Sequence, residues 1–231
     1  MGKTKLFCLP YAGGSATIYF KWKIEGVDVV PLEYAGRGIR GNLPFCESFE
    51  DLVEDVFKLL KGNLQENDKY AIFGHSLGAL AAYDLYRKIA KEGLALPQHV
   101  FLSAAPAPDQ KENGEKISHL TDQDFVREVR KFGGIPDEIL DSKDFAEYFL
   151  IAIRADFHIY EKYCFTDDNT GMRCPVTVFF GEKDSIGYAD VLKWRKYAFD
   201  DFTVESFDGD HFFVVNEWQR VVAQIGRRLC W

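Results

Sequence analysis

Residues 74–78 read Gly-His-Ser-Leu-Gly, and they lie between an apolar run at 70–73 and an alanine-rich run at 79–85. The first run has the composition of a buried strand, and the second has that of a helix. Two glycines at this spacing let a strand turn directly into a helix, in a turn too sharp for larger side chains. We expect Ser76 to have a strained backbone and a hydroxyl exposed above a sheet. The alternative interpretation is a serine that only fills a tight turn.

Strand-like and helical runs alternate along most of the chain. The strand-like runs are 5–9, 28–33, 70–73, 99–104, 175–180 and 202–207, and the helical runs are approximately 49–61, 77–92, 189–198 and 214–229. This alternation predicts an α/β fold with a mostly parallel central sheet flanked by helices. The chain has 231 residues, of which 47% are hydrophobic, so we expect one domain over 1–231. Groups that follow strand ends should meet at one edge of the sheet.

The alternation stops between the fourth and fifth strand-like runs. Amphipathic helical stretches take its place at 122–132, 136–140 and 143–163. We interpret residues 106–165, called here the inserted segment, as a helical lid with Gly133 and Gly134 as a flexible joint. The phenylalanines expected to roof the site are Phe125, Phe132, Phe149 and Phe157. The alternative is that these apolar faces are ordinary core packing.

A nucleophilic serine needs a base, and the base needs an orienting acid. Only His211, among the five histidines, lies in a loop after a late strand-like run. The others are His75, which lies inside the turn and should point away from Ser76, His99, which opens a strand, and His119 and His158, in the inserted segment. We therefore predict His211 as the base. The alternative is a loop histidine that caps the closing helix.

The acid should follow an earlier strand, because α/β-hydrolases have the order Ser, Asp or Glu, His. Residues 176–180 form such a strand, and Gly-Glu-Lys-Asp follows at 181–184. We choose Asp184, because its distance from the strand end lets it curl toward a histidine loop. Glu182 is the competing candidate.

Backbone N–H groups should stabilise the oxyanion that forms during acyl transfer. One donor is expected at Leu77, directly after the nucleophile, and a second in an N-terminal loop. Residues 9–15 read Leu-Pro-Tyr-Ala-Gly-Gly-Ser after a strand, and the glycines allow close approach of the backbone to a substrate. We choose the N–H of Ala12, the alternative being an ordinary glycine-rich turn.

Five segments occur together and in chain order. They are Leu-Pro-Tyr-Ala-Gly-Gly-Ser at 9–15, Ala-Gly-Arg-Gly-Ile-Arg at 35–40, Gly-His-Ser-Leu-Gly at 74–78, Arg-Ala-Asp-Phe at 154–157 and Gly-Asp-His-Phe-Phe at 209–213. Over about residues 5–229 the chain resembles the type II thioesterases, the free-standing editing enzymes of nonribosomal peptide and polyketide synthetases. The family usually has proline at the position of Ala35, so the rigidity of that loop is in question.

The resemblance implies an α/β-hydrolase fold and a triad of Ser76, Asp184 and His211. It also implies an oxyanion hole of Ala12 and Leu77. The implied partner is a carrier protein whose phosphopantetheine arm bears the acyl group. Related thioesterases that release finished products often have their acid after the strand at 99–104, where this chain has no acid before Asp109.

The triad predicts acyl transfer to water, and it does not identify the leaving group. General acyl-CoA or fatty-acyl thioesterases and carboxylesterases share the same catalytic residues. A non-catalytic binding protein of this fold would typically have lost a triad member, and an acyltransferase would deliver the acyl group to an amine or alcohol. Removal of stalled or aberrant acyl groups from carrier proteins is the function that the resemblance implies.

Composition and charge bear on the compartment, the cofactors and the partners of the protein. No apolar run approaches the ~20 residues of a membrane span, and the first residues lack the pattern of a secretory signal. The five cysteines show no metal-ligand spacing, so we expect a cytoplasmic protein with no metal. We also expect a monomer that uses no cofactor. A net charge of −8 argues against nucleic acid as a partner. Docking to an acidic carrier would need apolar contacts and local cations. The candidate cations are Arg37, Arg40, Lys143, Arg154 and Lys162, each also readable as a solvated residue or ion-pair partner.

Overall fold

The computed structural model describes residues 3–110, 116–131 and 143–229, and within them six strands form one sheet. The strands are β1 (Thr4–Leu9), β2 (Val27–Pro31), β3 (Tyr70–His75), β4 (Val100–Ser103), β5 (Val176–Gly181) and β6 (Phe202–Phe207). Their order across the sheet is β2-β1-β3-β4-β5-β6, and neighbouring strands are parallel. The predicted parallel sheet is confirmed.

Helices lie on both faces of this sheet. In the described part of the chain they are α1 (Phe49–Asn63), α2 (Leu77–Lys91), α3 (Asp122–Arg130), α4 (Lys143–Lys162), α5 (Tyr188–Leu192), α6 (Phe213–Asn216) and α7 (Trp218–Leu229). Alternate strand residues face opposite helical layers, as the pleat requires. Phe7 and Ile72 pack in the core with α1 and α2, whereas Leu6 and Phe73 pack in the core with α6 and α7.

Two helical runs are broken where the sequence predicts continuity. The run at 189–198 is α5 followed by a tighter 3-10 turn at Lys193–Tyr197. The closing run at 214–229 is divided at Glu217, whose carbonyl accepts the first hydrogen bond of α7 from Val221. Apolar periodicity does not reveal such a break, because both parts bury apolar residues against the same face of the sheet.

The inserted segment connects β4 to β5 and contributes α3 and α4. Ile117, Phe125, Val129 and Ile153 form a small apolar cluster between these helices. Toward its C-terminal end, α4 also packs Ile159 into the main core. The predicted helix at 136–140 and the proposed joint at Gly133 and Gly134 lie outside the described residues, as does Phe132.

No helix among the described residues combines the length and the apolar character needed to cross a membrane.

Candidate active site

Ser76 occupies a strained turn between β3 and α2. Its φ of 56° and ψ of −117° are unusual for a residue other than glycine. A Cβ on Gly74 would overlap the Gly78 carbonyl, and one on Gly78 would overlap the Leu9 carbonyl. The Ser76 N–H donates to the Ser103 carbonyl at 2.7 Å, which ties the turn to the end of β4. The expected strained turn is confirmed, and both glycines are needed for it.

His211 lies between the serine and a carboxylate. Its Nε2 is 3.0 Å from Ser76 Oγ, and its Nδ1 is 2.9 Å from Asp184 Oδ2. The Asp184 side chain is only 1% exposed, and its Oδ1 accepts the Ile186 N–H at 3.2 Å. Because a carboxylate only accepts, Asp184 fixes the proton on Nδ1 and leaves Nε2 free to accept from the serine hydroxyl.

Glu182, the competing acid, has a different partner. Its carboxylate accepts from the Ser206 hydroxyl at 2.7 Å, in an exposed position. Asp184 curls back through a turn, in which its N–H donates to the Gly181 carbonyl. This turn places the Asp184 carboxylate, and not that of Glu182, against the imidazole.

His75 contacts the backbone of the histidine loop instead of Ser76. Its Nε2 lies 2.9 Å from the His211 carbonyl oxygen, and its Nδ1 lies 2.8 Å from Ser103 Oγ. A carbonyl only accepts, so Nε2 carries the proton and Nδ1 accepts from the Ser103 hydroxyl. Complete burial, with His211 nearby, holds the pKa of His75 well below its ordinary value. His75 therefore stays neutral and anchors the loop that carries His211.

The remaining histidines lie elsewhere. His99 stacks on Phe101 and contacts Thr177 Oγ1 at 2.9 Å, and burial lowers its pKa to about 4. His119 and His158 are exposed on the inserted segment.

A largely apolar cavity of about 120 Å³ opens onto Ser76 and His211. The inserted segment contributes Val129, Phe149, Ile153, Phe157 and Tyr160 to its wall. Phe149 and Phe157 thus have the placement expected of roof residues. Phe125 is not among the cavity-lining residues, because it packs edge-on behind Phe157 with the Arg154 guanidinium over its ring. The expectation that Phe125 roofs the site is therefore wrong, and Phe125 instead supports Phe157, which does line the cavity.

Ala12 and Leu77, the two predicted N–H donors, both line this cavity. In the described part of the chain, neither N–H donates to another protein group. Leu77 is the first residue of α2, where N–H groups are free of helical partners and the helix dipole favours negative charge. Both groups are therefore available to an oxygen placed in the cavity.

The loop that carries Ala12 is bound by the buried ion pair of Arg37, whose acidic partner sequence reasoning did not identify. Gly13 N–H donates to Asp156 Oδ2 at 2.7 Å, and Arg37 binds both carboxylate oxygens at 2.5 and 2.6 Å. Both charged side chains are 4% exposed. Burial by itself would lower the pKa of Arg37, but Asp156 reverses this effect and raises it. The sequence signal that could have revealed this pair is the position of Asp156 on the apolar face of α4, because a carboxylate buried there needs a cationic partner.

Among the described residues, no group of three or more His, Cys, Asp or Glu side chains is arranged to hold a metal ion.

The fold is similar to that of solved thioesterases. The structure titled ClbQ, from the colibactin NRPS/PKS pathway, has a TM-score of 0.93 and 33% identity, and the match covers 98% of this chain and 96% of that chain. The structure titled YbtT, a type II thioesterase from the yersiniabactin NRPS/PKS pathway, has a TM-score of 0.87 and 26% identity, over 99% and 93% of the two chains. These similarities identify the fold as that of the α/β-hydrolases.

Two named proteins are similar in sequence to most of this chain. The gramicidin S biosynthesis protein GrsT of Aneurinibacillus migulanus is 31% identical over 216 residues, which are 92% of this chain and 83% of that protein. A protein of Brevibacillus parabrevis named linear gramicidin dehydrogenase LgrE is 32% identical over 227 residues, 95% and 85% of the two chains.

The second of these names raises the question of a dinucleotide site. Residues 36–41 read Gly-Arg-Gly-Ile-Arg-Gly, which has the spacing of a dinucleotide-binding fingerprint. That fingerprint requires a strand, a tight turn and the N-terminus of a helix in direct succession. Here Gly38–Arg40 is a single 3-10 turn and α1 begins only at Phe49. The glycine spacing therefore lacks the structural setting of a dinucleotide site.

A family model described as "Thioesterase domain" matches residues 4–229, which is nearly the whole chain. This match agrees with the strained serine turn, the imidazole beside it and the similarity to solved thioesterases. The chain belongs to the thioesterase family, and it is an enzyme of the hydrolase class.

Proposed function

We propose that the enzyme hydrolyses acyl thioesters by a Ser-His-Asp mechanism, and that it removes stalled or aberrant acyl groups from the phosphopantetheine arms of carrier proteins. The observation that carries the mechanism is the continuous contact from Ser76 Oγ through His211 to Asp184 beside an apolar cavity. Nucleophile, base and orienting acid have the mutual geometry that acyl transfer requires.

In the first half of the reaction, Ser76 Oγ attacks the thioester carbonyl carbon while its proton passes to His211 Nε2. Asp184 stabilises the imidazolium that forms. The carbonyl oxygen becomes an oxyanion, which accepts from the N–H groups of Ala12 and Leu77. Collapse of this intermediate breaks the carbon–sulfur bond, and the thiolate takes the proton from His211. The products are an acyl-serine and the free thiol.

In the second half, His211 Nε2 takes a proton from water as the water oxygen attacks the acyl-serine carbonyl. The same two N–H groups hold the second oxyanion. Its collapse returns the proton to Ser76 Oγ and releases the carboxylic acid.

The assignment to carrier proteins is supported by relatives. GrsT is named for gramicidin S biosynthesis, and the ClbQ and YbtT structures are titled as parts of NRPS/PKS pathways. The inserted segment supplies much of the cavity wall and would act as the lid that selects acyl groups by size. Apolar walls favour acyl groups without charge.

A fatty-acyl thioesterase is the alternative, and one relative favours it. The medium-chain S-acyl fatty acid synthase thioesterase of Rattus norvegicus is 27% identical over 217 residues. That protein is named for medium-chain substrates, so chain length and carrier identity distinguish the two functions.

The test compares hydrolysis of the same acyl groups on three carriers. Acetyl, aminoacyl and octanoyl groups are supplied as thioesters of a holo carrier protein from a peptide synthetase, as thioesters of coenzyme A and as simple esters. The editing function predicts the highest kcat/KM for short acyl groups on the carrier protein. Preference for octanoyl groups regardless of carrier would support the fatty-acyl function instead.

A further inference from the structure

We infer that Asp156, on helix α4 of the inserted segment, is a positioning residue that holds the oxyanion hole in its working geometry. The inference rests on the proposed role of the Ala12 N–H. It means that a helix outside the sheet completes a catalytic element that the sheet alone does not fix.

The loop from Tyr11 to Gly14 is a closed turn, in which the Gly14 N–H donates to the Tyr11 carbonyl at 2.9 Å. In a trans peptide the C=O and the following N–H point in opposite directions. With the Tyr11 carbonyl directed into the turn, the N–H of Ala12 is directed out of it, and Ala12 lines the cavity. The orientation of this one peptide plane decides whether the donor faces the oxyanion.

Asp156 holds the next peptide in the same turn. Its Oδ2 accepts the Gly13 N–H at 2.7 Å, and Gly13 has a φ of +74°. Glycine adopts many backbone conformations at little cost, so this turn needs an outside partner to stay in one of them. A Cβ on Gly13 would meet Ile153 of the same helix α4, so the loop and the helix are in direct contact.

Arg37 holds the carboxylate in place from the other side. The fork of two hydrogen bonds at 2.5 and 2.6 Å is the bidentate geometry that orients a carboxylate most strongly. Arg37 Nη1 also lies 3.3 Å from the Gly14 carbonyl, so the pair touches the turn at two points. Together the pair joins three segments that are distant in sequence, namely the turn, the loop after β2 and helix α4.

The competing explanation is that Asp156 merely attaches helix α4 to the body of the protein. Helix α4 offers a matched control for that role in Glu161. Its carboxylate accepts two backbone N–H groups, from Ile117 and Ser118 at 2.7 and 2.9 Å. These bonds hold α4 to the residues at 117–118 of the inserted segment. None of them involves the loop from Tyr11 to Gly14. Glu161→Leu removes this acceptor and therefore loosens the helix without touching the donor.

A pair of double variants isolates the hydrogen bond to Gly13. Arg37→Met with Asp156→Asn, and Arg37→Met with Asp156→Leu, both remove the buried charges, so neither leaves an unpaired ion in the core. Asparagine and leucine have similar shapes, but only asparagine can accept from the Gly13 N–H. A difference in activity between the two variants therefore measures the effect of the acceptor for the Gly13 N–H.

Each variant is measured for kcat and KM with an acyl thioester. Its affinity is also measured for a trifluoromethyl ketone, whose adduct with serine places an oxyanion in the hole. We expect the leucine variant to have a kcat about 10–100-fold below that of the asparagine variant, with KM within about threefold. Inhibitor affinity should fall in proportion to kcat, and Glu161→Leu should retain wild-type values of both.

Equal kcat and equal inhibitor affinity in the two double variants would overturn the inference. If the double variants do not fold, Asp156→Asn and Asp156→Leu with Arg37 retained give the same comparison, because again only asparagine accepts from the Gly13 N–H. Equal inhibitor affinity in these two single variants would overturn the inference as well. Ser76→Ala, measured in parallel, separates this outcome from failure of the proposed function. Hydrolysis retained by Ser76→Ala would reject the mechanism itself, whereas its loss together with equal double variants rejects only the role of Asp156.

Discussion

The carboxyl edge of the sheet and the inserted segment both line the cavity, but they hold their side chains in different ways. Ser76, Asp184 and His211 lie one, three and four residues after the ends of β3, β5 and β6. The hydrogen-bonded ladder of a parallel sheet therefore fixes their positions. Helix α4 lines the cavity with Ile153 and Phe157, and the ion pair of Asp156 binds the neighbouring loop at Gly13. The candidate catalytic side chains thus depend on the backbone of the sheet, whereas the cavity wall from α4 and the loop from Tyr11 to Gly14 depend on contacts between side chains distant in sequence.

The largest effect is expected at the sheet edge, from Ser76→Ala. Loss of the nucleophile should reduce thioester hydrolysis by at least about 10³-fold, because only binding and the oxyanion hole remain. The melting temperature should be unchanged, since the substitution removes one hydroxyl at the cavity surface. Hydrolysis assays and labelling with a fluorophosphonate measure this. Retained activity, or a wild-type enzyme that does not label, would contradict the assignment.

Asp184→Asn tests the orienting acid at the same edge of the sheet. Asparagine can donate to His211 Nδ1 and so favours the imidazole tautomer that cannot accept from Ser76. We expect kcat to fall about 10²–10⁴-fold. Glu182→Gln is the control, because its carboxylate contacts Ser206, and it should cost less than about tenfold. The reverse ranking would assign the acid role to Glu182.

Acid should destabilise the fold through the buried histidines of the sheet region. His99 has a folded pKa of about 4 against an ordinary value of 6.5, so the unfolded chain binds its proton more tightly. Stability from this group is complete above pH 6.5 and is lost as the pH falls to about 4. The loss is about 3 kcal/mol in the free energy of unfolding, because each pKa unit corresponds to about 1.4 kcal/mol. Buried His75 acts in the same direction.

Urea unfolding at several pH values between 7 and 4 measures this dependence. His99→Gln should flatten the curve, whereas His158→Gln, which removes an exposed histidine of α4, should keep the wild-type slope. Equal slopes for His99→Gln and wild type would show that His99 does not carry the effect.

The smallest effect is expected in the inserted segment, from Phe149→Ala. Phe149 and its neighbour Leu150 both pack against the small cluster of the inserted segment, but only Phe149 lines the cavity. Truncation should raise kcat/KM for octanoyl relative to acetyl substrates by roughly 10-fold, since one methylene in an apolar pocket contributes only ~1–3 kcal/mol. Leu150→Ala is the matched control and should keep the wild-type ratio. An unchanged ratio in Phe149→Ala would mean that this wall of the cavity does not select acyl groups by length.

Much of the fold was predictable because its signals are local. The predicted strands agree with the observed ones to within two residues at each end. The Gly74 to Gly78 turn was predictable because only glycine fits at its two ends. The break at Glu217 was not, since apolar residues on both sides of it face the same core.

The sequence by itself determined the sheet, the serine turn and the residues that follow the strand ends, because strand periodicity and glycine stereochemistry act over a few neighbouring residues. Tertiary structure alone decided which distant groups support them. Asp156 meets Gly13 across 143 residues of chain and Arg37 across 119, and His75 meets the His211 carbonyl across 136. Partners so far apart leave no spacing pattern, and only the packing of α4 and of the histidine loop onto the sheet edge brings them within hydrogen-bond distance.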